Sequence, residues 1–286
     1  MDVSIIVPFR NAEDTLEHCI HALHSQSYID GRMEILLVDN GATDKSPNIA
    51  EQFSSIILLS EEHTSVYAAR NRGVDASTGA VLLFTEPDCV VEPSWAARHV
   101  RALNQTNASI SVGRVAPIKD SRLLSMFNDY EHIRDEWNFN AEYWKQYFGR
   151  PKNFAIRRIQ FESQGPFEQV LRGADSLLVQ KIAREHSCNE VTYCPEAVVK
   201  HLRVHGMPSC LKQRFLDSYM MSSLKSSHSA PVSGGERYNL FWKTVRTHRY
   251  GAIRTILLFL LLVSGWIVWK AGQWAALLHP ATKPRL

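Results

Sequence analysis

The sequence predicts an α/β fold, a mostly parallel sheet flanked by helices, with a separate hydrophobic helix near its C-terminal end. Three observations predict it. Short aliphatic runs alternate with amphipathic stretches from residue 3 to residue 84. Hydrophobic residues make up 45% of the 286 and charged residues 21%, a balance that can bury a core. Residues 256–269 (ILLFLLLVSGWIVW) carry no charge.

Residues 3–7 (VSIIV) stop at Pro8 and read as a buried strand. Residues 11–25 form a helix, with Leu16, Cys19, Ile20 and Leu23 on one face and Glu13 and Asp14 in the first turn. Residues 33–38 (MEILLV) are the second strand, and residues 43–53 a helix after the Gly41 turn. Residues 55–59 are the third strand, 65–76 a helix, and 80–84 (AVLLF) the fourth strand. This alternation belongs to a parallel sheet covered on both faces. Ligands of such sheets bind at the carboxyl ends of the strands.

The residues to inspect are therefore Pro8-Phe9-Arg10, Asp39-Asn40, Ser60-Glu61-Glu62 and Thr85-Glu86-Pro87-Asp88. Three of these four strand ends present carboxylates. That pattern excludes an apolar substrate. It suits a phosphorylated one bridged by Mg²⁺ or Mn²⁺. Residues 119–150 are rich in aromatics, from Phe127 and Tyr130 to Tyr147 and Phe148. They read as helices and a loop laid over the sheet, either as an acceptor wall or as an amphipathic packing layer.

The net charge of +3 is too small to indicate a nucleic-acid partner. It conceals an asymmetry. Residues 237–286 hold eight Lys/Arg and no acid, whereas residues 1–236 are net −5. Five scattered cysteines without a C-x-x-C pair suggest neither a disulfide framework nor a zinc site. The N-terminus lacks the basic start and apolar core of a signal peptide, so the body of the protein is expected to stay inside the cell.

Four blocks in order carry a family resemblance. They are VSIIVPFRNAEDTLEHCIHALHSQSY, MEILLVDNGATDKS, AARNRGVDASTGAVLLFTEPDCVVEPSW and NFAIRRIQFESQGPFEQVLRGADSLLVQKIAR. Over residues 2–203 the chain resembles the inverting glycosyltransferases of family 2. The resemblance implies a GT-A (nucleotide-diphospho-sugar transferase-like) fold, a UDP-sugar donor and a divalent cation. It implies that Pro8 and Arg10 lie at the nucleotide edge. It also implies that Asp39 binds uracil or ribose, although a turn-capping role is the alternative, which Asp44 could serve instead.

Glu86 and Asp88 stand where the family usually has Asp-x-Asp. The resemblance makes Asp88 the metal ligand and Glu86 a ribose or metal-water contact. Glu86 is one methylene longer than the usual residue. Arg70 is placed to hold a phosphate or order the metal loop. Asp175 stands where the family has the general base, which takes the acceptor hydroxyl proton during attack at the anomeric carbon. A helix N-cap is its other reading. Ala174 replaces the usual preceding Glu. His201, after the YCPEA turn, is a candidate metal or diphosphate ligand, and His205 is its rival.

The apolar run, extended to Leu278, is long enough to span a bilayer with Lys270 snorkelling. Lys243, Arg246, Arg249 and Arg254 precede it and place the body on the cytoplasmic face, in a bacterial inner membrane. Whether the segment spans or lies in the interface stays open. Leu211, Phe215, Tyr219 and Met220 are spaced to lie against the membrane surface. The expected organisation is a transferase domain over 1–206, a juxtamembrane segment over 207–250, an anchor helix over 251–278 and a short tail over 279–286.

The expected activity is sugar transfer to a lipid-linked or surface-polysaccharide acceptor. A sugar nucleotidyltransferase would need a Gly-rich basic loop after the first strand, and VPFRNAED has none. Glu86 and Ala174 leave a second alternative, a catalytically inactive membrane assembly or sugar-binding subunit.

Overall fold

The computed structural model describes residues 1–28, 31–117, 121–170, 173–204, 206–223 and 233–279. The first βα repeats follow the predicted order. They are β1 (Val3–Phe9), α1 (Leu16–His24), β2 (Met33–Asp39), α2 (Ser46–Glu51), β3 (Ile57–Ser60), α3 (Val66–Ala76) and β4 (Val81–Phe84). The chain continues through β5 (Cys89–Val91), α4 (Trp95–Thr106), β6 (Ile110–Pro117), α5 (Arg122–Asn140) and β7 (Phe154–Arg157). It ends with α6 (Arg158–Gln164), α7 (Ala174–Glu185), β8 (Val191–His201), α8 (Met207–Ser223), α9 (Gly234–Thr247) and α10 (Ala252–Leu278).

The eight strands form one sheet in the order β3-β2-β1-β4-β7-β6-β8-β5. The first four are parallel. In the other half β7 runs antiparallel to β4 and to β6, and β5 antiparallel to β8. The sheet is therefore mixed, with an antiparallel half that βα periodicity does not reveal. Its core includes Ile5, Val7, Leu37, Val81, Leu83, Trp95 and Val199, packed with Leu16, Ile20 and Leu23 of α1.

Several boundaries differ from expectation. β1 continues through Pro8, which sits opposite Val38 of β2. Pairing with β4 has already ended at Ile6, so the missing N–H of Pro8 breaks no bond on that side. Helices α1 and α2 are shorter than the periodicity suggests. Asn11 at φ 49° turns the chain before α1, and Pro47 opens the short α2. The YCPEA stretch is no turn and lies inside β8.

Two compact units are present. The first comprises Met1–Ala116, Tyr147–Val170 and Ala174–Leu202 and contains nearly the whole sheet. The second comprises Pro117–Gln146, Leu171–Gly173 and Arg203–Leu286. In the second, Met126, Tyr130 and Ile133 of α5 pack with Leu240 and Val245 of α9 and Leu258 of α10. The aromatic segment thus builds a helical core of its own rather than a simple layer on the sheet. Helix α8 packs along α10, and Ser218 Oγ donates to Trp269 O at 2.6 Å. Its apolar face meets a helix, where a bilayer surface had been expected.

Helix α10 has 27 residues, about 40 Å at 1.5 Å per residue. That exceeds the roughly 30 Å hydrocarbon thickness of a bilayer. Only 11% of its most apolar stretch is buried within the protein.

Candidate active site

The acidic residues gather at the C-terminal end of β4. This strand stops at Phe84, and Glu86 and Asp88 follow in a turn closed by the 3.1 Å bond from Cys89 N to Glu86 O. Two antiparallel registers converge here. Phe154 of β7 lies opposite Phe84, so Lys152, two residues earlier, falls beside the turn. Thr85 Oγ1 fixes it by donating to Lys152 O at 2.9 Å. His201 of β8 lies opposite Cys89, which brings it to Asp88.

Glu86 faces two cations. Arg70 Nη2 is 3.2 Å from Oε1, and Lys152 Nζ is 3.3 Å from Oε2. Burial alone would raise the Glu86 carboxyl, but Lys152 and Arg70 outweigh it and hold the group below its usual range. Lys152 behaves conversely. Burial disfavours its charge, and Glu86 and Asp88 more than restore it. Both groups are therefore ionised at neutral pH. Asp88 Oδ2 is 3.6 Å from His201 Nε2, and Lys152 Nζ bonds the same nitrogen.

Arg70 is 1% exposed. Its guanidinium lies 5.1 Å from the ring centre of Tyr67, three residues earlier on the same face of α3. Arg70 Nε is buried without a hydrogen-bond partner. Such an orphaned donor costs on the order of 1–3 kcal/mol, a penalty that an incoming anion would relieve. Tyr67 Oη donates to Asp175 Oδ1 at 2.6 Å.

Asp175 lies in the first turn of α7 and is buried. Gly149 lets the chain pass close over it, since a Cβ there would fall 2.6 Å from Asp175 Cβ. A continuous path of contacts runs from Asp175 through Tyr67, Arg70 and Glu86 to Lys152, His201 and Asp88.

Three predicted residues, Asp39, Arg10 and Pro8, stand outside that path. Asp39 closes β2, and its Oδ1 accepts from Ala42 N at 2.8 Å. Asp44 shapes the next helix, with Oδ1 accepting from Ser46 N and Oδ2 from Glu13 N, both at 3.0 Å. Turn capping is thus divided between the two aspartates. Arg10 is exposed just past β1, while Pro8 is buried within it. His205 lies outside the described residues.

The donor set fits a divalent cation. Asp88 offers a hard carboxylate oxygen, and His201 offers the imidazole Nε2 once Lys152 Nζ, which bonds it here, moves aside. Among the described residues no cluster of three or more His, Cys, Asp or Glu is close enough to hold an ion unaided. The pair therefore suits a cation whose shell is completed by phosphate oxygens of a bound nucleotide.

Sequence reading missed Lys152 and Tyr67. Lys152 was visible only as a lysine ahead of the NFAIRR strand, and its placement depends on the β4–β7 register. Tyr67 carried one signal, its i,i+3 spacing to Arg70.

The profile named Glycosyl transferase family 2 matches residues 4–164. The chain belongs to glycosyl transferase family 2. A relative, glycosyltransferase AglE of Haloferax volcanii, is 37% identical over 181 residues. That alignment covers 60% of this chain and 58% of AglE, so the chain spans little more than half of that relative.

Two solved structures share the fold. The mannosyltransferase PcManGT from Pyrobaculum calidifontis, in complex with GDP-Man and Mn²⁺, has a TM-score of 0.60 at 19% identity. The match covers 98% of this chain and 76% of that one. Glucosyl-3-phosphoglycerate synthase of Mycobacterium tuberculosis, with Mn²⁺, UDP-glucose and phosphoglyceric acid, has a TM-score of 0.56 at 17% identity, covering 81% of each chain. The GT-A fold of family 2 is thereby established for this chain.

Proposed function

We propose that this chain transfers a sugar from a nucleotide-sugar donor, a UDP-sugar in our reading, to a lipid-linked or surface-glycan acceptor with inversion. The observation that carries this reading is the contact path joining buried Asp175 to the charged cluster after β4. It provides a base at one end and a diphosphate site at the other. Both solved neighbours hold a nucleoside diphosphate sugar and Mn²⁺, which supports the same division.

In this account Asp175 is the general base. Tyr67 occupies Oδ1 and holds the carboxylate in one orientation, while Oδ2, which accepts from Ser176 Oγ at 3.4 Å, takes the acceptor hydroxyl proton. The hydroxyl oxygen forms the new bond to the anomeric carbon as the bond to the nucleoside diphosphate breaks. Asp88 and His201 would hold Mn²⁺ or Mg²⁺. Bound there, the cation would neutralise charge on the departing diphosphate. Arg70 and Lys152 add fixed positive charge beside the same turn. Asp39 binds the nucleoside from the end of β2, with Pro8 and Arg10 at the same edge and Glu86 at the ribose side.

Helix α10 anchors the protein, with its body on the cytoplasmic face of a bacterial inner membrane. Its exposed Ile253, Phe259, Trp266, Trp274 and Leu277 form too large an apolar face for water. The transferase domain runs over 1–206, the juxtamembrane segment over 207–250 and the anchor over 251–278.

The test is Asp175→Asn. Turnover should fall roughly 10²- to 10⁴-fold, the range of general-base catalysis, while nucleotide affinity stays unchanged. Undiminished turnover would remove Asp175 from the chemistry. A wild-type protein that binds donor yet never turns over would favour the inactive-subunit reading.

A further inference from the structure

The helical unit contains an open cleft of about 410 Å³ that the transfer chemistry does not use. Arg122 and Ser125 line it from the first turn of α5, with Ser121 at the N-cap. Arg254 lines it from the first turn of α10. Among the described residues the one carboxylate in the lining is Asp129, and it is already engaged. Tyr250 Oη donates to its Oδ2 at 2.7 Å, and His248 Nδ1 is 3.5 Å from the same oxygen.

Among the described residues neither Arg122 nor Arg254 pairs with a carboxylate. The cleft thus presents two guanidiniums and two serine hydroxyls, the groups that grip phosphate oxygens. The cleft also opens beside the apolar face of α10. Arg254 is the third residue of α10, flanked by Ile253 at 77% exposure and Ile256 at 60%. A polar head held there would have its acyl chains beside exposed aliphatic side chains. Lys243, Arg246 and Arg249 precede the same helix in a stretch without acids.

We propose that this cleft binds the phosphate of an anionic membrane lipid, clamped between Arg122 and Arg254 and hydrogen-bonded by Ser121 and Ser125. The proposal rests on the reading of α10 as a membrane anchor. It assigns the cleft a bulk lipid headgroup and no part in sugar transfer.

The experiment uses the full chain in neutral detergent. Short-chain phosphatidylglycerol, short-chain phosphatidylcholine and inorganic phosphate are titrated separately, with binding read by native mass spectrometry and tryptophan fluorescence. Saturable binding of phosphatidylglycerol alone is expected. The double variant Arg122→Gln/Arg254→Gln should weaken it by roughly tenfold or more, since charge-assisted bonds are lost. Arg101→Gln, on α4 and outside the cleft lining, should leave it unchanged. Both exposed arginines should be replaceable without moving the thermal midpoint, which separates lost binding from lost folding.

Equal binding by the double variant, or equal affinity for phosphatidylcholine, would overturn the proposal. Inorganic phosphate binding as tightly as the lipid would also overturn it, in favour of a soluble-anion site. Co-flotation with pure phosphatidylcholine vesicles tests the anchor separately, and the double variant should float like wild type. If the wild type does not float, the anchor reading fails while the micelle titration still decides the cleft.

Discussion

Asn153 holds Lys152 at the site although it performs no chemistry there. Its side chain is fully buried. Oδ1 accepts from Trp95 Nε1 and His99 Nε2, each at 2.7 Å, and Nδ2 donates to Arg114 O and Ala197 O, each at 2.7 Å. His99 Nδ1 in turn accepts from Ser111 Oγ at 2.8 Å. Every ring nitrogen and amide group of this set is matched only if His99 is neutral, and burial pushes its pKa down to about 4 from 6.5. Between those values the unfolded chain binds the proton that the folded chain refuses. Stability therefore falls as pH drops from about 6.5 to about 4, by about 3 kcal/mol for this group. Chemical denaturation across that range should show the loss. His99→Gln should lower stability at neutral pH and flatten the acid slope, and an unchanged slope would contradict the assignment. At this scale a motif names Asp88 and Asp175 as candidates, and the structure brings both onto one contact path. Lys152, Tyr67, His99 and Asn153 owe their importance to register and burial, which no local pattern announces.

Among the elements, the pair α8 and α10 shows what spacing alone leaves open. Leu211, Phe215 and Tyr219 would suit a bilayer surface or a helix equally well. The deciding residue is on the other helix. At Gly272 a Cβ would fall 2.6 Å from Phe215 O and 2.9 Å from Ser218 Cβ, so only glycine permits this approach. Arg214 of α8 stacks at the same junction, 5.3 Å from the Phe127 ring centre and 5.9 Å from that of Trp269, with Glu131 at 3.5 Å. Gly272→Leu should separate the helices and destabilise the helical unit by about 1–3 kcal/mol, the usual cost of overpacking. Thermal unfolding in detergent should show a lowered midpoint. Gly235→Ala, where a Cβ meets open space, is the control. Equal midpoints for Gly272→Leu and wild type would mean that α8 and α10 do not pack this closely.

At the scale of the molecule, the parallel half of the sheet was readable because each of its strands is followed at once by a helix. The antiparallel half was not. Its strands β5 to β8 are spread between Cys89 and His201, and the segment Pro117–Gln146 of the helical unit interrupts them. Yet this half completes the site, because β7 delivers Lys152 and β8 delivers His201 to the end of β4. By the function proposed above, this convergence makes a metal-dependent nucleotide-sugar site. The most direct measurement is nucleoside diphosphate release from a panel of nucleotide sugars by the purified, detergent-solubilised chain, with Mn²⁺, Mg²⁺ or chelator, beside Asp88→Ala. Release from a selected donor should require the cation and fall at least about 100-fold in Asp88→Ala. Release by Asp88→Ala equal to wild type, or no binding of any nucleotide with the cation present, would contradict that function.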